Sequence, residues 1–189
     1  YAFNDCSNLT SIEIPDSVSF IGDYGFSNCS SLESIKIPDN FTTIEEGTFF
    51  GCSSLQSIEI PDSITDIEPS AFKSCSGLEH VEIPEGVTNI GYSAFAFCSS
   101  LESVGIPASV TTIGDSAFDK CSSLKAINVA EANKNYASKE GILFDAAVTT
   151  LILYPSCMEK RVYTIPNGIT TIGSRAFSGC KELISIEIP

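Results

Sequence analysis

The 189-residue sequence predicts a repeat solenoid, a stack of 23-residue coils with a parallel β-sheet along its concave face. Three observations predict it. Cys6, Cys29, Cys52, Cys75, Cys98 and Cys121 are each 23 residues apart, and Cys157 and Cys180 repeat the step. Phe3, Phe26, Phe49, Phe72, Phe95 and Phe118 keep the same period, as do Pro15, Pro38, Pro61, Pro84 and Pro107; Phe177, Pro166 and Pro189 rejoin it later. Every period also carries one short apolar–polar–apolar stretch of the kind Ile12-Glu13-Ile14.

The unit reads C-x-x-L-x-x-I-x-I-P-x-x-V-x-x-I-G-x-x-A-F-x-x. Burying the few large side chains of one unit does not offset the entropy of ordering it, so a single unit is not expected to fold alone. Stacked units share faces and do fold. Within each unit the alternating stretch is a strand, and stacked copies give the concave sheet. The proline that follows ends the strand, because it has no N–H for the ladder. A turn comes next, and Val18 and Ile21 return to the core. Gly22, Gly91, Gly114 and Gly173 mark a corner. Glu45 and Glu68 occupy the same column, so the corner does not require a positive φ. Asp23 or Asp115 is placed to cap a short helical turn carrying the Ala-Phe pair, and Pro69 suits the first position of such a turn. Short strands or helical turns are therefore expected on the convex side.

The period breaks after Cys121. Ala130 stands where proline is due, and 36 residues separate Cys121 from Cys157. Gly141 to Phe144 and Thr150 to Tyr154 read as two strands joined by a turn around Asp145 to Thr149. Either Tyr163-Thr164-Ile165-Pro166 is the next concave strand with a hairpin inserted before it, or Leu151 to Pro155 takes that place. The first register is favoured, because Cys157, Ile165 and Pro166 stay 23 residues ahead of Cys180, Ile188 and Pro189. The expected organisation is one domain over 1–189: regular repeats 1–130, an irregular coil 131–156, and regular repeats 157–189. The chain begins at Tyr1 and its one methionine is Met158, so it reads as a fragment of a longer chain.

A net charge of −14 repels phosphate backbones and anionic lipid, so nucleic-acid and membrane-surface binding are disfavoured. Apolar runs such as Leu151 to Tyr154 are too short to insert in a membrane. Eight cysteines raise the question of disulfides. One per coil in a single column puts neighbours at about the 5 Å strand spacing, but parallel side chains do not give the torsion a disulfide needs. The column reads as buried thiols, with Cys157 in the irregular coil as the exception. Four ligands do not converge in a linear column, so no zinc site or other metal site is expected. Nor is a cofactor.

His80 is the one histidine, in a strand column otherwise held mostly by Ser11, Ser34, Ser57, Ser103 and Ser185. A serine–histidine–acid set can be drawn from Ser57 or Ser103, His80 and Glu82, but no nucleophile elbow, oxyanion hole or pocket accompanies it. No catalytic residue is assigned and the chain is not read as an enzyme. The acidic columns are more informative. Glu59, Glu79, Glu82 and Glu102 are expected to gather around His80 on the concave face. Like charges on adjacent strands disfavour folding. Such a patch either docks something basic or serves as a solvated face that keeps the sheet from aggregating. Asp16, Asp39, Asp62 and Glu85 form a second acidic row at the turns, without the alternating acids of a calcium-binding repeat. Sequons occur at Asn8, Asn28 and Asn40, and Asn28 precedes a column of buried cysteines.

The text SLESIKIPDNFTTIEEGTFFGCSSL from Ser31 resembles the BspA-type, or treponemal-type, leucine-rich repeat, and the likeness extends over nearly the whole chain. NYASKEGILFDAAVTTLILYP from Asn135 resembles an irregular unit of the same family, which makes the insert a spacer that alters curvature, with a binding protrusion as the alternative. The resemblance implies a cell-surface or secreted protein of bacteria or protists. The roles it implies are adhesion, aggregation and recognition of proteins such as host extracellular-matrix or serum proteins. A structural spacer and a self-associating repeat array are the alternative functions.

Overall fold

A computed structural model describes residues 1–189 as a solenoid of parallel sheets without an α-helix. No helix is long and apolar enough to cross a membrane. The front row contains one strand per regular coil: β1 (Ser11–Ile12), β2 (Ser34–Ile35), β4 (Ser57–Ile58), β6 (His80–Val81), β8 (Ser103–Ile106) and β10 (Ala126–Val129). Parallel pairs in register, such as Ser57 with His80 and Ala126 with Ser103, preserve the 23-residue step. The serine and histidine point outward and are exposed, while Ile35, Ile58, Val81 and Val104 are buried. The proline after each strand serves the turn that follows. Its carbonyl accepts the N–H three residues on, at 2.9 Å for Val18 on Pro15 and 3.0 Å for Ile64 on Pro61.

A second parallel sheet lies across the core. It runs β3 (Thr43–Ile44), β5 (Asp66–Ile67), β7 (Asn89–Ile90) and β9 (Thr112–Ile113), again in 23-residue register. These are the short strands anticipated away from the front face. The helical turns are not formed. The arc with the Ala-Phe pair is a run of turns, and its hydrogen bonds show why. Alternate N–H groups bond three residues back, as Ala71 to Glu68 and Lys73 to Ser70. The others cross to the next coil: Ser70 to Tyr92, Phe72 to Ala94 and Ser74 to Ala96, at 2.8–2.9 Å. Ser70 and Ser74 hold positive φ of 58° and 64°, a geometry that no helix continues. Asp115 therefore caps no helix. The corner glycines lie outside the positive-φ region. Gly91 is instead a close approach, since a Cβ there would meet the Pro69 nitrogen at 2.5 Å.

Between the sheets, Phe3, Phe26, Phe49, Phe72, Phe95 and Phe118 form one column of rings 4.9–5.9 Å apart. All eight cysteines are free. Those from Cys29 to Cys121 are buried, and each thiol donates to a phenylalanine carbonyl one coil back; Cys75 Sγ lies 3.0 Å from Phe49 O and Cys98 Sγ 3.1 Å from Phe72 O. Cys157 is half-buried, but so is Cys180, and Cys6 is exposed, so the buried column is confined to the coils that have a neighbour on both sides.

In the irregular coil, β11 (Tyr136–Lys139), β12 (Ile142–Asp145) and β13 (Thr150–Leu153) form an antiparallel meander. The first of these strands was not foreseen. Its turn, Glu140-Gly141, holds two consecutive positive φ values of 53° and 79°, a hairpin turn geometry. Asp145 accepts from the Thr149 and Thr150 N–H groups and the Thr149 hydroxyl, which fixes the next turn. β13 then pairs in parallel with β15 (Thr171–Ile172), and β14 (Val162–Thr164) with β16 (Ser185–Glu187). Tyr163 thus occupies the front-strand column, as the favoured register requires. Side chains of β12 alternate between two cores. Leu143 joins the main cluster of 35 buried residues, while Ile142 and Phe144 join a second cluster of 7.

Candidate functional site

The five residues singled out on the front face are all exposed: Glu59, Glu79, His80, Glu82 and Glu102. The fold arranges them in two rows. The register that pairs Ser57 with His80 and Ile58 with Val81 sets Glu59 beside Glu82 on one side of the strand row. These two and His80 line a shallow depression with Ser57, Asp62 and Glu85. Asp62 and Glu85 belong to the turn after each proline, so the two acidic rows seen in sequence merge here. The signal for this was present in the period: both residues follow their prolines by one position, and the proline turn folds back toward the strand it ends.

The other row runs along the strand entrances. The Glu79 N–H donates to Gln56 O at 3.0 Å, the Glu102 N–H to Glu79 O at 3.3 Å, and the Lys125 N–H to Glu102 O at 2.8 Å. Backbone bonds thus stack Gln56, Glu79, Glu102 and Lys125 in successive coils. Glu79 lines a separate polar depression with Glu33, Gln56 and several serines. Glu102 does not stand free, because Lys125 Nζ lies 3.1 Å from its Oε1. That pair is more than half exposed and contributes little to stability, yet it places a positive charge at one border of the patch. The densest negative charge therefore sits around His80, on Glu59, Glu82, Asp62 and Glu85.

An open surface of this kind offers charge and hydrogen-bond acceptors but no enclosed space. Ser57 and His80 are neighbours in register, with Glu82 two residues on from His80 along the chain. Carboxylates this close repel one another, and a docking cation relieves the repulsion. A basic side chain presented by another protein fits that requirement.

The sequence model for the BspA type leucine rich repeat region matches residues 1–131 and 153–189, in six copies. No curated protein matches the chain. Among solved structures, the chain is similar to the pneumococcal vaccine antigen PcpA, with 34% identity over 95% of this chain and 45% of that one, and a TM-score of 0.86. It is also similar to a leucine-rich repeat protein from Eubacterium ventriosum, at 27% identity, covering 96% of this chain and 48% of that one with a TM-score of 0.85. A leucine rich cell surface protein from Faecalibacterium prausnitzii is 32% identical over 95% of this chain and 60% of that one, with a TM-score of 0.69. The chain spans about half the length of the first two. The match over both blocks of regular coils, on either side of the irregular one, places this chain in the BspA-type leucine-rich repeat family.

Proposed function

We propose that the chain is a non-enzymatic protein-binding module of a cell-surface or secreted protein, and that it recognises a basic surface of its partner on the front face. We read residues 1–189 as one repeat domain. The observation that carries this reading is the concentration of the exposed Glu59, Asp62, Glu82 and Glu85 around His80 in one open depression. The solved relatives that include a vaccine antigen and a cell surface protein support the location, and the repeat family supports protein recognition. Adhesion to host extracellular-matrix or serum proteins is the role that joins these two supports.

A specific feature favours a second reading. The front column is mostly serine, at Ser11, Ser34, Ser57 and Ser103, a row of small hydroxyls with no aromatic anchor. Binding hot spots are rich in Trp, Tyr and Arg. A module lacking them in its front row serves as a spacer that holds other domains away from a surface.

One experiment separates the two. The chain is passed over immobilised extracellular-matrix and serum proteins at low and at physiological salt. The binding reading predicts saturable capture of at least one basic partner, weakening as salt rises. Absence of saturable capture at both salt levels supports the spacer.

A further inference from the structure

Five arcs of this solenoid, from Phe3 to Phe95, are saturated by the next coil; the last arc, at Phe177, has no coil after it, and the arc at Phe118 is unsaturated although a coil follows. Ser70, Phe72 and Ser74 donate their N–H groups to Tyr92, Ala94 and Ala96 of the next coil, and Ser93, Phe95 and Phe97 donate to Asp115, Ala117 and Asp119. The corresponding N–H groups of Ser116, Phe118 and Lys120 have no acceptor, because the meander β11–β13 replaces the arc that should follow. The ring column also stops at Phe118.

The coils do not simply close over this place. At one corner they touch, where the Ser156 hydroxyl donates to Cys121 O. On the arc side they part around a cavity of about 230 Å³. Its floor is apolar, with Ile113, Phe118, Tyr136, Leu143 and Ile152. Arg175 straps the gap, its Nη1 donating to Asp119 Oδ2 at 3.0 Å and reaching Ser116 Oγ at 3.5 Å. Asp119 is 4% exposed, and its other oxygen, Oδ1, is buried without any hydrogen-bond partner. A buried carboxylate oxygen left unpaired destabilises the fold unless something supplies a donor.

These features define their ligand chemically. Acceptors are needed for the free N–H groups, a donor for Asp119 Oδ1, and an apolar group for the floor. An anion meets the first need but is repelled by Asp119. A cation meets the second but not the first. Peptide backbone supplies both carbonyl and N–H, and an aromatic or aliphatic side chain fills the floor. We propose that this cleft binds a short peptide segment of a partner protein, held in the turn-rich conformation of the missing arc, with alternate carbonyls on the N–H groups of Ser116 and Phe118, both of which line the cavity. The site is separate from the front face and stands or falls independently of it.

The probe is the capped hexapeptide acetyl-Tyr-Ser-Ala-Phe-Ala-Phe-amide, a copy of Tyr92 to Phe97, which fills the equivalent place on the arc of Ser70, Phe72 and Ser74. It is titrated into the ¹⁵N-labelled chain and followed by NMR. The expected result is saturable shifts confined to Gly114–Lys120 and Gly173–Arg175, with Kd of about 1 mM or tighter. Amide exchange at Ser116 and Phe118 should slow about tenfold at saturation. Ser174 lies exposed on the rim, so Ser174→Trp should abolish the shifts while the circular dichroism spectrum stays that of the parent; Ser174→Arg is the second blocking variant. No shift at millimolar peptide, or shifts that persist in both blocked variants or fall on the front face, would overturn the proposal.

Discussion

At the residue scale, the cysteine column shows how one side chain serves two masters. Each buried thiol fills core volume and also gives its proton to a phenylalanine carbonyl of the preceding coil. Burial pushes the thiols up, to about 12 at Cys52 and Cys121 and well above the ordinary value of 9.0 at Cys75 and Cys98. The native state therefore keeps protons that the unfolded chain releases from about pH 9 upward. Stability carried by these groups is complete below pH 9 and is lost as pH rises toward 12. Urea midpoints measured at pH 8 and pH 10.5 should fall with alkali, and the fall should shrink when Cys52, Cys75 and Cys98 are changed together to alanine. The ring column is a second test. Phe72 is buried between Phe49 and Phe95, and Phe72→Ala should cost about 3–5 kcal/mol in urea unfolding. Tyr154 runs the other way. Its hydroxyl is buried with no partner, so Tyr154→Phe should raise stability by about 1 kcal/mol.

At the element scale, the regular coils were legible because each column repeats. Ile35, Ile58, Val81 and Val104 mark the front strand whatever residue separates them from the next core position. The arc was misread as helical for a definite reason. An Asp before an Ala-Phe pair looks like a cap in a single sequence, but hydrogen bonds between coils claim alternate N–H groups at Ser70 and Ser93, both of which hold positive φ. Sequence periodicity shows which residues stack, not which way their amides turn. Likewise β11 was missed because Tyr136-Ala137-Ser138-Lys139 has little alternation; it pairs because Glu140-Gly141 turns it back on β12. Gly141→Ala should weaken this meander in urea melts, since φ is +79° and the new methyl would come within 2.8 Å of the Ala126 Cβ. Asp145 acts at the opposite turn. Burial tends to raise its carboxyl, but the hydrogen bonds from Thr150 and Thr149 prevail and hold it below the ordinary value. Its contribution is complete above the unfolded carboxyl range and is lost as pH falls through the lowered folded value. Asp145→Ala should cost about 1–2 kcal/mol at neutral pH and less in acid, read from the same melts.

At the scale of the whole molecule, β12 divides the solenoid into unequal cores of 35 and 7 buried residues. Repeat arrays are stabilised by contacts between neighbouring coils, so the larger block should be the more protected. Amide exchange should be slowest from Phe26 to Ile127 and faster from Val162 onward. The front surface belongs to the larger block, and a rigid scaffold beneath it holds Glu59, Glu79, His80, Glu82 and Glu102 in fixed register. The gathering of these side chains was legible from the columns. Their division was not: the backbone row that stacks Glu79 and Glu102 lies apart from the depression holding Glu59, Glu82, Asp62 and Glu85, and Lys125 neutralises one border. The most direct test of the front face as a recognition surface is a binding isotherm for a captured basic partner, recorded with the parent chain and with a Glu59→Lys, Glu79→Lys, Glu82→Lys variant. A second variant, Glu45→Lys with Asp66→Lys and Glu68→Lys in the opposite sheet region, makes the same change in net charge and controls for it. The account predicts that front-face reversal weakens binding by at least about 100-fold, close to 3 kcal/mol, and that the control changes it far less. Equal loss in both variants, or unchanged binding after front-face reversal, would contradict it.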